Sequence, residues 1–289
     1  IPLSHNPEGG TVMRNLPIIA LVLATLASAQ GIPLISEVCV TPTEGEFVEI
    51  YNPTASSISL DYVYLCDLYG TSATLASFYP QIVAGAVTNV SADFLVKFPA
   101  GSSLPAGGVI TVAMNGANYQ TTYGEAPDYE LMNTGVGTQM TTPPNGYINS
   151  TAGLTNGAEV AVLFYWDGTS DRVYDLDYAL WGNDTGRRVE KTGISLDGPD
   201  GDTSPTAYMT DVVSASQVPI SLAAHSSGYS YQRIDFTEGT ETPTGGNGLT
   251  GHDETSENMS TTWTIVAVTP GTIYTSLSRT TWGQIKSLW

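Results

Sequence analysis

The sequence predicts an all-β fold, and three observations carry that expectation. Short runs rich in Val, Ile, Thr and Tyr recur along the chain, and thirty glycines and seventeen prolines punctuate them. Residues that favour helices are sparse between the breaks. Such spacing reads as many short strands joined by turns. No internal repeat, heptad pattern or long low-complexity linker interrupts it, so one elaborated domain is the simplest organisation for this length.

The first element is not a strand. Residues 1–12 have no recognisable role and read as an upstream leader. Met13-Arg14-Asn15 is a short basic start, Leu16 to Leu26 is apolar apart from Pro17 and Thr25, and Ala27-Ser28-Ala29 supplies small residues for a signal peptidase. Residues 13–29 are therefore expected to be a cleaved secretory signal, with Gln30 as the new N-terminus. A buried or spanning helix is the alternative, but about 11 apolar residues fall short of the ~20 needed to cross a bilayer. No later window approaches that length.

Strands are expected at 34–40, 46–51, 62–65, 94–98, 109–114, 159–166, 172–179, 229–236 and 262–268. The second is the clearest. Phe47, Glu49 and Tyr51 alternate with Glu46, Val48 and Ile50, so the two faces carry different side chains. Asn52-Pro53 ends that ladder, because proline lacks an N–H and holds its predecessor extended. The turn cluster Ala100 to Gly108 introduces the strand at Val109.

Those motifs resemble, in order, the lamin-tail domain, an immunoglobulin-like β-sandwich. Ile35-Ser36-Glu37-Val38, the Gly45 to Pro53 segment and Ile58-Ser59-Leu60-Asp61 are similar to the family's opening. Leu104-Pro105-Ala106-Gly107-Gly108 is similar to its "L-P-x-G" turn, and Leu154 to Leu163 to its "L-x-N-x-G-D-x-V-x-L" strand, with Glu159 in the acidic position. Asp167-Gly168, Val173-Tyr174-Asp175 and Tyr178 resemble a family hairpin, Tyr229 to Arg233 its "S-x-x-R" strand, and Thr269-Pro270-Gly271 its closing "T-P-G". The resemblance implies an all-β, immunoglobulin-like β-sandwich of the lamin-tail type over residues 30–271, with long loop insertions near 117–151 and 185–228. No rod segment or nuclear-localisation run is present, so the resemblance implies the exported, non-catalytic use of the module. Residues 272–289 form a tail whose Thr280 to Trp289 run resembles a "T-W-G-x-I-K-x-L" ending of some exported bacterial proteins. Trp282, Ile285 and Trp289 there fall on one face of a short helix.

Charge excludes some partners. Twenty-eight acidic residues against nine basic give a net charge of −19. Nucleic-acid and anionic-lipid binding depend on clustered Lys and Arg, and Arg187, Arg188 and Lys191 form the one basic group. Export allows a disulfide between the two cysteines, Cys39 and Cys66. That bridge would close a loop of about 28 residues and contribute ~3–4 kcal/mol. Two buried thiols behaving as small apolar groups are the alternative.

Catalytic signatures are sparse. No G-x-S-x-G elbow, H-E-x-x-H, C-x-x-C pair or phosphate loop is present, and a triad assembled on paper from Ser226, His225 and Asp253 lacks the local context of one, since adjacency in sequence is not triad geometry. The run Gly245 to Asn258 concentrates ligand atoms. Asp253, Glu254 and Glu257 are the expected Ca²⁺ ligands, with Asp197, Asp200 and Asp202 a second candidate loop. Asx turns or a solvated acidic face account for the same residues. A transition-metal site would draw in His252, whereas His225 reads as a hydrogen-bonded loop residue. Tyr119, Tyr123 and Tyr129 could stack on a ligand or line a second core layer.

The expected function is a secreted, non-catalytic binding or surface-interaction module for an extracellular protein or glycan, with Ca²⁺ as a stabilising ion. A structural subunit that associates through strand edges is the alternative, and a hydrolase a more distant one. No nucleic-acid partner and no membrane span are expected.

Overall fold

The computed structural model describes residues 31–71, 77–85 and 92–275, all within the unit Gly31–Trp289. The expected signal at 13–29, the new terminus at Gln30 and the tail beyond 275 lie outside the described residues. Among those described, no helix is long and apolar enough to cross a membrane.

The fold is all-β. Its strands are β1 (Leu34–Cys39), β2 (Phe47–Tyr51), β3 (Ile58–Ser59), β4 (Val63–Cys66), β5 (Phe94–Lys97), β6 (Ser103–Leu104), β7 (Val109–Asn115) and β8 (Tyr129–Met132). They continue with β9 (Thr138–Gln139), β10 (Tyr147–Ile148), β11 (Glu159–Tyr165), β12 (Tyr174–Trp181), β13 (Ser195–Leu196), β14 (Thr206–Ala207), β15 (Tyr229–Arg233) and β16 (Trp263–Ala267). Every run read from the sequence is a strand, within a few residues at its ends.

A seven-stranded sheet has the order β16-β15-β1-β2-β7-β8-β9, and a five-stranded sheet the order β10-β5-β4-β11-β12. One apolar core joins them, with Val38, Val48, Ile50 and Val112 from the first and Leu65, Leu95 and Val162 from the second. Register follows the alternation in the sequence. Val38 pairs with Val48 and Glu37 with Glu49, so the apolar pair faces the core while the acidic pair lies on the other face. On that outer face Glu37 accepts from Ser230 Oγ and from the Thr269 N–H (3.1 Å), and Glu49 accepts from Ser36 Oγ (2.6 Å) and the Gly271 N–H (2.7 Å). The closing Thr-Pro-Gly turn is thus hydrogen-bonded to the opening strands.

The insertion near 117–151 contains a helix, Gly116–Tyr123, and two strands that pair parallel, β8 on β7 and β9 on β8. A parallel neighbour needs a crossover, which the helix provides. Asn115 caps it by accepting the Asn118 N–H, and Gly124 ends it at φ 83°. Tyr119 and Tyr123 pack edge-on against Phe47, with centroids 5.5 and 5.6 Å away, and Tyr129 packs on Phe98. Tyr119 and Tyr123 form a second packed layer with Phe47, whereas Tyr129 packs on the main core. In β11, six consecutive residues are buried, and the helix Phe78–Ala84 sets Phe78 against Phe164.

The expected Cys39–Cys66 disulfide is corrected: both cysteines are free. Cys39 follows inward-facing Val38, so the strand period turns it outward among Phe47, Ala113 and Tyr119. Cys66, on the other sheet, lies in the common core. Burial pushes the Cys39 thiol up to about 11 and Cys66 well above its ordinary value. Native protein is therefore expected to resist a thiol reagent and to show two free thiols after denaturation, with reductant leaving the melting midpoint unchanged. Mass analysis finding one disulfide would overturn this.

Two of the three basic residues, Arg188 and Lys191, are also interior, while Arg187 is partly exposed. Lys191 is fully buried, its Nζ 2.8 Å from Asp175, 3.3 Å from Asp211 and 2.8 Å from the Tyr178 hydroxyl. Arg188 Nη1 donates to the Gln217 carbonyl at 2.7 Å. Lys191 ties the 185–228 insertion to β12, and Arg188 ties two parts of the insertion together.

Candidate functional site

The glycine-rich run after residue 244 folds back on itself. The Gly246 N–H donates to the Gly251 carbonyl and the Gly248 N–H to the His252 carbonyl, both at 2.9 Å. A Cβ on Gly246 would lie 2.1 Å from the His252 carbonyl oxygen, and one on Gly248 would lie 2.4 Å from the imidazole. Only glycine fits this close approach. Asp253 then bridges antiparallel to Thr242, its N–H donating to the Thr242 carbonyl at 3.0 Å. In that extended pairing His252 and Glu254 project together and Asp253 projects away. Asp253 Oδ1 accepts from the Thr255 N–H (3.1 Å) and hydroxyl (2.6 Å), capping the short helical turn Glu254–Ser256.

Glu254 is fully buried. His252 Nε2 lies 2.6 Å from its Oε1 without hydrogen-bond alignment, and neither carboxylate oxygen receives a hydrogen bond. One oxygen each of Glu238, Glu241 and Glu257 is likewise buried without a partner. Arg233, fully buried, donates to Asp177 Oδ1, Glu238 Oε1 (2.7 Å) and Glu257 Oε1 (3.0 Å), with its Nε on the Ile35 carbonyl and its guanidinium over Trp263. Asp177, Glu238 and Glu257 thus share one permanent cation, and Glu254 lies among them and beside Glu241.

Burial dominates the electrostatics. It pushes Glu254 well above the carboxylate range, helped by the charges of Glu241 and Asp177, and it raises Glu241, beside Glu238, to about 11. Asp177 is held well above its ordinary value by burial even against Arg233, and burial lowers His252.

The expected ligand set Asp253, Glu254 and Glu257 is only partly brought together. Glu254 and Glu257 converge with Asp177, while Asp253 is occupied at Thr255. In the second loop Asp197 and Asp200 gather with Asp171, but Asp202 turns aside to accept the Ser204 N–H. Asp171 itself accepts from the Gly198 N–H and the Thr206 hydroxyl. His225 is a loop residue as expected, its Nε2 accepting the Val40 N–H at 3.0 Å.

Sequence reasoning missed Glu241, which the Thr242–Asp253 bridge carries to His252. It also missed a buried group of Asp67, Asp93 and Glu159. The His252-x-Glu254 spacing was the available signal, because a period of two in an extended segment puts both side chains on one side.

At the β11–β12 end of the five-stranded sheet, Tyr62 is 45% exposed and packs edge-on against Tyr165, centroids 6.0 Å apart. Tyr165 pairs with Tyr174, Lys97 Nζ lies 4.7 Å from the Tyr62 ring centroid, and the Arg172 guanidinium lies over Tyr174.

No family model and no curated protein matches the chain. Among solved structures it is similar to a DUF4876 family protein from Bacteroides thetaiotaomicron VPI-5482, at 14% identity and a TM-score of 0.40, over 86% of this chain and 75% of that one.

Proposed function

We propose that the chain is an exported, non-catalytic binding module, an immunoglobulin-like β-sandwich of the lamin-tail type that presents tyrosines to an extracellular glycan. The observation that carries this reading is the Tyr62–Tyr165–Tyr174 group with Lys97 and Arg172 beside it. Ring faces stack on the apolar face of a sugar, while phenol hydroxyls and nearby cations meet its polar edge. The histidines and most buried ionisable groups serve as internal ties, which fits a binding role. The domain limits follow the resemblance, with the 269–271 turn bonded to Glu37 and Glu49.

The test is a polysaccharide array with the secreted chain and a Tyr62→Ala, Tyr165→Ala variant. Glycan binding lost at least tenfold in the variant, at an unchanged melting midpoint, supports the reading. Binding to no glycan, or binding that the variant retains, overturns it; turnover of a glycan overturns the non-catalytic part.

A second reading has its own observation. β16 is the outer strand of the seven-stranded sheet among the described residues, with Ile265 37% exposed. An open edge can pair with another copy, which makes the chain a structural subunit. Concentration-dependent assembly abolished by Ile265→Lys would favour that reading.

A further inference from the structure

We propose that Glu241, His252 and Glu254 bind one divalent transition-metal cation of the zinc class, as a buried structural site. The inference does not rest on the glycan reading. One donor atom from each residue lies within 4.8 Å of the other two, and all three residues are buried. Donors about 2 Å from a shared ion lie no more than about 4 Å apart, so binding would draw the three side chains slightly together.

A cluster of acids alone would say little, since such clusters occur without ions. The independent observation is the hydrogen-bonding of Glu254. Its side chain is fully buried, and both oxygens lack a donor. Glu241 Oε1 and His252 Nε2, aimed at the same point, also lack partners. Buried polar atoms are ordinarily paired, and four unpaired ones facing one another form a ligand set.

The imidazole is set up for this. Its Nδ1 meets the Thr250 hydroxyl and its ring lies against Gly248. With Nδ1–H donating to that hydroxyl, Nε2 presents its lone pair to the carboxylates, the outer-shell arrangement that orients a ligating histidine. Charge points the same way. Arg233 pairs with Asp177, Glu238 and Glu257, which leaves Glu241 and Glu254 without a cation, and a bound dication would supply one in place of their protons.

The donor chemistry selects the metal class. Ca²⁺ takes six to eight oxygens. Here one of three donors is an imidazole nitrogen, which suits Zn²⁺ and its neighbours. Of the residues expected from sequence to complete an oxygen shell, Asp253 is engaged with Thr255 and Glu257 Oε1 with Arg233 and Thr262, while Glu257 Oε2 is left without a donor. A small cavity lined by Glu254, Glu257, Tyr178 and Gln217 and by apolar side chains, Val160 and Met259 among them, borders Glu254. Bound to the three residues, the ion would clamp the 238–241 turn to the 252–257 turn.

The test uses the full chain, stripped with EDTA and dialysed, then titrated with Zn²⁺, Co²⁺, Ca²⁺ and Mg²⁺ separately. One Zn²⁺ per chain, a melting midpoint raised by about 5 °C or more at saturation, and visible absorption on Co²⁺ loading are expected, with Ca²⁺ and Mg²⁺ giving no shift. Glu254→Gln and His252→Asn should each weaken Zn²⁺ binding at least a hundredfold. Glu254→Gln keeps the shape and removes a buried charge, so it should stay folded, which circular dichroism checks. No Zn²⁺ binding by the parent chain, Zn²⁺ binding unchanged in both variants, or a larger midpoint shift with Ca²⁺ than with Zn²⁺ would each overturn the assignment.

Discussion

Replacing Arg233 with methionine is expected to lower the melting midpoint by roughly 10 °C. Methionine keeps much of the apolar stem and removes the charge with all its donors. Asp177, Glu238 and Glu257 then lose their shared cation, and the Ile35 carbonyl loses its donor. Breaking a buried ion pair by deleting one partner costs about 3–5 kcal/mol. In a domain of this size each kcal/mol moves the midpoint by about 2–4 °C. Thermal melts followed by circular dichroism, with urea titration alongside, measure the effect. A shift under about 2 °C would show that the carboxylates need no cation there. Arg233→Lys should fall between, since a point charge cannot serve three separated carboxylates in one plane.

Stability is also expected to fall as pH rises from 6.5 to 9, by an amount that lowers the midpoint on the order of 10 °C. The groups responsible include Glu37, raised to about 8, and Glu46, Glu49 and Glu159, each raised to about 7, burial being the main cause in all four. Unfolded, these carboxyls ionise near 4.5. Their folded pKa values lie above the unfolded ones, so the native state holds protons that the unfolded chain has released. That contribution is complete below the unfolded value and is lost as pH climbs through 7 and 8. The window begins at 6.5 because burial lowers both described histidines, whose effect lies on the acid side with the opposite sign. The double variant Glu37→Gln, Glu49→Gln should lessen the slope. A midpoint that stays level or rises with pH, or a slope unchanged in the double variant, would contradict the assignment.

The long strands were legible because each carries its own alternation or apolar run, as Phe47 to Tyr51 does. The crossover helix Gly116–Tyr123 was not, since its Gly, Asn and Thr are poor helix formers. Its Asn115 cap and Gly124 stop were nevertheless in plain view. Parallel pairing of β7 with β8 follows only once that helix is known. The carboxylate network was half legible. Ligand density marked the loop around His252, but density cannot show that an extended backbone turns Asp253 away from Glu254. Glu241 and Arg233 arrive through pairings with distant segments. Asp67, Asp93 and Glu159 are farther apart still, and only the order β5-β4-β11 gathers them.

The place of β1 has a consequence for how the chain acquires its structure. This first strand pairs on one side with β2, a short hairpin away, and on the other with β15, where Glu37 meets Gln232. Half of its ladder therefore waits for residues almost two hundred positions later, and β16 must follow to cover β15. Long-range pairings of this kind form slowly, because loop closure comes before the contacts that reward it. A ribosome delivering the chain from its N-terminus releases β1 and β2 long before their far neighbour exists. The seven-stranded sheet therefore cannot close until residues 229–267 have emerged.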